Sequence, residues 1–331
     1  MLLVATPLHL SVFDTVSGRL RLLRKGDGEY YGVSWNRDHL VVSHSNQDNE
    51  TLATHADYRD ARRGYLSLCA RDSDPSRGTA CLLQPHQIEC VGDQIIAANT
   101  GLNGLSVFSA SGELIRHVHL NEVTWDRSED GSSGNHFNSV HRQGNRLYVL
   151  AHNHDRPSAV WELSWPELEV LEIHETRASW AHNIWAGEHG LVVCDSKHGG
   201  LVSVETGETI WRADEPRVIT RGLAAVGNLL YIGRSEYGSR GDRKRNDGGL
   251  WIVDRKTLRT LERHVFPGSG CVNELRGLSG QDDCHVEAPF DPAWLTRLAH
   301  CPLRERLSHT WSWARRAALV RRSGTPSPRR A

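Results

Sequence analysis

One repeated phrase limits what this chain can fold into. The stretch Gln84 to Ser109 reads QPHQIECVGDQIIAANTGLNGLSVFS. QPHQIECV alternates polar and apolar residues, GD makes a turn, QIIAANT is an apolar run, and GLSVFS follows a Gly/Asn break. That is the pattern of three short antiparallel strands. The phrase returns as NHFNSVHRQGNRLYVLAHN from Asn135, as AHNIWAGEHGLVVCDS from Ala181 and as TRGLAAVGNLLYIGRS from Thr220. A looser copy, YYGVSWNRDHLVVSHS, begins at Tyr30. Recurrence every roughly 40 to 55 residues is the period of a four-stranded propeller blade.

The fold expected is therefore an all-β propeller. Leu2 to Lys25 offers three strands with no inner strand before them, while CVNELRGLSG (Cys271 to Gly280) resembles an inner strand with no blade after it. Pairing the two ends in one blade closes the ring and removes free edges. The count is then about six blades, or seven if residues 46–62 hold a further strand pair. We expect a propeller over 1–287, a helical extension over 288–320 and a basic, Pro/Ser-rich tail over 321–331. The helix is read from the spacing of Trp294, Leu298, Leu303, Leu307 and Trp311, with Pro302 breaking it.

Composition excludes several classes. Lysine plus arginine (39) nearly cancel aspartate plus glutamate (40), so no basic field points to nucleic acid. Seven cysteines without a CxxC pair fit reduced thiols, and with them a cytoplasmic setting, better than a disulfide framework or zinc cluster. The N-terminus lacks a basic region and a cleavage site and reads as strand, and no apolar run is long enough for a membrane span. No GxSxG elbow, P-loop, GxGxxG or HExxH occurs. Cys90 and Cys194 sit in strands without a basic neighbour, which argues against a nucleophilic thiol.

Candidate site residues come from aligning the copies. Anchoring on Val33, Ile88, Val140, Ile184, Leu223 and Leu278 puts Tyr31, His86, Asn138, His182, Arg221 and Arg276 in register two positions earlier. Residues two apart share a strand face, so His136 joins Asn138, and Glu274 joins Arg276. His86, His136 and His182 then come from three adjacent blades and converge near one channel mouth. Second strands end at that mouth with His44, Asn99, His152, Asp195 and Arg234.

Three neutral imidazoles can hold a divalent transition metal: iron, zinc or copper. Asp195 or Glu274 would be the acid/base, Arg221 and Arg276 a fork for an anionic group, and Tyr31, Asn138 and Asn99 further substrate contacts. The expected activity is a metal-dependent oxidoreductase, lyase or hydrolase on a small anionic substrate. Two other readings stay open. One is a non-catalytic propeller binding a peptide or protein across an aromatic rim that includes Tyr58, Trp125 and Tyr237. The other is a metal-free lyase or hydrolase with His86 or His182 as base. Three long polar connections, residues 46–62, 121–135 and 235–248, would crowd the same entrance. Its basic run RGDRKR (240–245) and the histidines His117, His119, His174 and His264 read as surface.

The segments TRGLAAVGNLLYIGRS, GGLWIVDRKT and NELRGLSG resemble the C-terminal half of a bacterial propeller family of unknown function, over roughly residues 180–280. That resemblance implies a six-bladed propeller and no activity. A broader likeness is to the lactonase and strictosidine-synthase-like propellers, whose sites also lie at the channel mouth. Lactonases hold their metal mainly with Glu, Asn and Asp, whereas histidine and arginine occupy the corresponding positions here. Carotenoid-cleaving oxygenases are similar in drawing histidines from several blades, but use four of them in a longer, seven-bladed chain.

Overall fold

The computed structural model describes residues 1–25, 28–45, 63–70, 76–77, 82–126, 133–239, 242–285 and 288–298. They form six antiparallel sheets arranged as a β-propeller. The inner strands are Glu274–Gly277, Glu29–Trp35, Pro85–Val91, Phe137–Gln143, His182–Gly187 and Val218–Val226 for blades one to six. Blade one is closed by both chain ends: Leu2–Ala5 pairs with Glu274–Gly277, placing Leu3 opposite Arg276 and Ala5 opposite Glu274. Blade two carries a fifth short strand, Leu82–Leu83, paired to Arg63–Ala70.

Each strand's pattern follows its distance from the axis. Second strands such as Gln94–Asn99 are covered on both faces and read as apolar runs, buried from Ile95 onward. Outer strands such as Leu114–His119 and Val170–Glu175 face solvent and mix charge with apolar residues. The first hairpin of three blades turns through Gly92, Gly144 or Gly227, each left-handed at φ 57–60°. Open space surrounds all three, so the backbone angle and not crowding calls for glycine there.

The core is divided among the blade interfaces. Six apolar clusters lie one between each pair of neighbouring blades. At the equivalent position each inner strand turns an apolar residue toward the preceding blade: Val33, Ile88, Val140, Ile184, Leu223 and, in the closing strand, Leu275. This corrects the sequence alignment, which took Leu278 as the sixth anchor. The closing strand is three residues out of the expected register, so Asn273 stands where Arg276 was placed. A short helix, Ala293–Leu298, buries Trp294, Leu295 and Leu298 against blades one and two. Leu303, Leu307, Trp311 and the tail 321–331 lie outside the described residues. The described cysteines (69, 90, 194, 271 and 284) are buried thiols. No helix among the described residues is long and apolar enough to cross a membrane.

Candidate functional site

The mouth of the channel is built on bulged strands. In blades two to six the pairing of first and second strands shifts register at one place: Tyr30/Val33, Pro85/Ile88, Phe137/Ser139, His182/Ile184 and Thr220/Leu223. A bulge adds an unpaired residue and re-aims its side chain. Tyr31, His86, Asn138, Asn183 and Arg221 stand at these bulges. Around them lie residues in left-handed backbone without being glycine: Gln84, His136, Asn153, His154, Trp180 and Asn183, with φ between 49° and 59°. Strain of this kind persists only where surrounding contacts enforce it, and it collects at functional sites.

Histidines dominate the mouth. Ring centres of His86 and His136 are 5.1 Å apart, His136 and His152 5.0 Å, His152 and His182 5.6 Å, and His182 and His86 6.5 Å. His154 adds a fifth ring, 5.1 Å from His136. Burial first, then the Arg221 charge, hold His86 and His182 well below the ordinary imidazole range. Burial and His136 do the same for His152.

The hydrogen bonds fix which nitrogen carries the proton. His86 Nδ1 lies 3.1 Å from the Gln84 carbonyl and 2.8 Å from Thr100 Oγ1, whose own proton goes to the Phe137 carbonyl. Both neighbours are therefore acceptors. His182 repeats the device two blades on. Its Nδ1 lies 2.8 Å from the Trp180 carbonyl and 3.0 Å from Ser196 Oγ, which donates to the Thr220 carbonyl. His136 Nδ1 donates to Asp126 Oδ2 at 2.9 Å. In all three rings Nδ1 holds a proton, so that the neutral form of each carries its lone pair on Nε2. His152 is the opposite: its Nδ1 accepts the His154 backbone N–H at 3.0 Å, which leaves the proton on Nε2.

Asp126 is buried and also accepts from His154 Nε2 at 2.9 Å. Burial alone would raise its carboxyl, but His136 and His154 outweigh that and hold it well below the usual carboxylate range. Asp126, His136 and His154 each bring a ligand atom within 4.8 Å of the others. Among the described residues His86, His136 and His182 do not form such a set; their rings stand slightly further apart.

Arg221 completes the mouth. Its guanidinium packs over the Tyr31 ring at 4.9 Å, and Tyr31 meets His86 edge-on at 4.6 Å. It has no hydrogen-bonded or ion-paired partner among the described residues. Beneath it a cavity of about 10 Å³, room for one water, is lined by Tyr31, Asn138, His182, Arg221, Asn273 and Glu274.

Other expected site residues sit elsewhere. Arg276 is fully buried at the channel floor, bonded to Glu89 at 3.2 Å and to the Ile88 carbonyl at 2.6 Å. It cannot clamp a substrate with Arg221. Asn99 and Asn138 are buried, with amides committed to Leu83 N–H, Ser106 and the Ala181 carbonyl. These bonds tie the scaffold together, and Asn138 also lines the small cavity beneath Arg221. Asp195 accepts from Ser179 N–H and His198 Nδ1 and lines a groove on the rim. Glu274 lies below the mouth, bonded to Asn183 Nδ2 at 3.2 Å, and burial raises its carboxyl. Tyr237 is exposed and Trp125 half-buried, while Tyr58 lies outside the described residues. Residues that sequence reasoning missed are Asp126, His154 and Trp180, and His152 was seen at the mouth without a role. The run HNHD at 152–155 was the available signal.

The fold and site define a six-bladed β-propeller with a histidine-lined channel mouth. No family model matches the chain, and no curated protein matches its sequence. Solved structures share the fold. The chain is similar to one in the crystal structure of a nidogen/laminin complex, at 11% identity and TM-score 0.58, covering 83% of this chain and 97% of that one. It is similar to a protein of unknown function from Bacteroides caccae, at 10% identity and TM-score 0.55, with coverage of 83% and 97%. At such identities the likeness shows the fold alone.

Proposed function

We propose that the propeller is an enzyme that holds a divalent transition metal on the Nε2 atoms of His86, His136 and His182 and acts on a small anionic substrate. One observation carries this reading: three rings from adjacent blades have their protons fixed on Nδ1 by dedicated acceptors. Asp126 behind His136 is the carboxylate–histidine arrangement that orients metal ligands. With metal–nitrogen bonds of about 2.1 Å, rings sharing a tetrahedral ion have centres roughly 5 Å apart. The 5.1 Å between His86 and His136 matches, and the 6.5 Å between His86 and His182 would have to close by about 1.5 Å.

Arg221, with no hydrogen-bonded or ion-paired partner among the described residues, would take the substrate's carboxylate or phosphate. His152 would offer its Nε2–H to the reacting group. The metal would serve as Lewis acid, or activate oxygen if iron or copper. Elemental analysis of untagged protein tests the reading. About one transition metal per chain, lost in His182→Ala, is expected. No metal after anaerobic loading with iron, copper and zinc would overturn it.

The wide spacing between His86 and His182 favours a second reading, a metal-free site in which a neutral histidine is the general base. Activity indifferent to chelators would select it.

A further inference from the structure

A groove of about 640 Å³ runs outward from the histidine mouth along blades five and six. Trp180 joins the two. Its carbonyl fixes His182, its ring lies parallel to His152 at 6.4 Å, and it lines the groove. Tyr237 is a second aromatic of the lining. Each aromatic carries a cation over its face: Lys197 Nζ is 5.4 Å from the Trp180 ring, and Arg217 Cζ is 5.9 Å from the Tyr237 ring. Arg212 also lines the groove. Trp180 and Arg217 are both left-handed at φ 55° and 57°, and the Arg217 carbonyl accepts Tyr237 N–H at 3.0 Å.

We infer that this groove binds the continuation of an acidic oligosaccharide whose end unit occupies the mouth. The inference rests on the anionic-substrate reading above and adds its chemical class. Sugar rings present C–H faces to the negative faces of Trp180 and Tyr237. A carboxylate on each ring meets a cation repeated along the groove, with Arg217 and Arg212 offering forks. Asp214 also lines it, and a carboxylate accepts sugar hydroxyls, while the neighbouring Glu215 is held by Arg234. A formal net charge of -1 supplies no field of the kind that draws a nucleic acid's phosphate chain. Apart from the Trp180 and Tyr237 rings, which suit flat sugar faces, the apolar lining is Ala213, Pro216 and Val218.

Calorimetry with galacturonate, trigalacturonate, maltotriose and a short single-stranded oligonucleotide tests the proposal. Trigalacturonate should bind at least tenfold tighter than galacturonate, and maltotriose should not bind. Arg217→Gln and Tyr237→Ala should each lower trimer affinity at least fivefold, with monomer affinity, melting temperature and metal content unchanged. Equal affinity for monomer and trimer, equal affinity for maltotriose, or tighter binding of the oligonucleotide would overturn it. Metal content read on the same samples separates the two ideas. A metal-containing protein that ignores the trimer loses the groove proposal alone, and a metal-free protein that binds it loses the metal reading alone.

Discussion

Asp126 stands between His136 and His154, its Oδ2 accepting the Nδ1–H of His136 at 2.9 Å and its Oδ1 the Nε2–H of His154 at 2.9 Å. One buried carboxylate thus fixes the proton of a proposed metal ligand and ties down the residue whose backbone N–H sets the tautomer of His152. Asp126→Asn keeps the shape but weakens the acceptor. Retained metal should then exchange 10- to 100-fold more readily against a competing chelator. Unchanged retention would remove His136 from the ligand set.

Arg221 presses on both neighbouring imidazoles. Its charge lowers His86 and His182, and among the described residues no carboxylate forms an ion pair with it. Arg221→Gln should therefore raise the titration midpoints of both histidines, readable by NMR of the imidazole C–H resonances. The melting temperature should hold or rise, because an unpaired cation has left a buried site. Phosphate should raise the melting temperature of the native protein and have no effect on the variant.

Stability should fall on both sides of neutrality. His86, His152 and His182 have folded values well below the unfolded imidazole range, so the unfolded chain binds more protons in acid. Stability then drops as pH falls below about 6.5, by about 1.4 kcal/mol per pH unit for each such histidine. His285 at the channel floor behaves oppositely. Burial and Arg276 press its value down, but Asp282 and Glu89 outweigh them and lift it to about 9. Its stabilisation is fully present below about pH 6.5 and is lost as pH rises through 9, a contribution of order 3 kcal/mol. Urea midpoints from pH 4 to 10 should trace a plateau between these limits. A flat profile would contradict both assignments.

Arg276 and Glu89 form an ion pair with neither side chain exposed. Arg276→Met removes the guanidinium that pairs the buried Glu89, which should cost about 3 kcal/mol or more by denaturant titration. Substrate affinity should not change in the protein that remains folded, since Arg276 lies at the floor and away from the mouth.

Gly233 faces the mouth from behind. A Cβ there would sit 1.9 Å from the Arg221 carbonyl oxygen, so Gly233→Ala must push the bulged strand inward. A loss of about 1–3 kcal/mol is expected, together with loss of the phosphate-dependent rise in melting temperature. A variant with native stability would show that the bulge is soft.

The repeat alone settled the architecture. Strand alternation, glycine turns and a phrase recurring once per blade are local properties, and closure through the two chain ends follows from the need to hide sheet edges. His86, His136 and His182 were legible because each belongs to a copy of that phrase. The tertiary structure decided the remainder. Asp126 and His154 lie in irregular connections that carry no period, and only the closed ring brings them to His136. Arg276 went to the floor because the closing strand pairs through Leu275, a register set by contact with blade six and not by the phrase it resembles. Asn99 and Asn138, polar and well placed by spacing, were consumed by hydrogen bonds to backbone that a sequence cannot assign. Spacing tells which residues reach a face; whether they meet a ligand or another strand depends on what packs against that face.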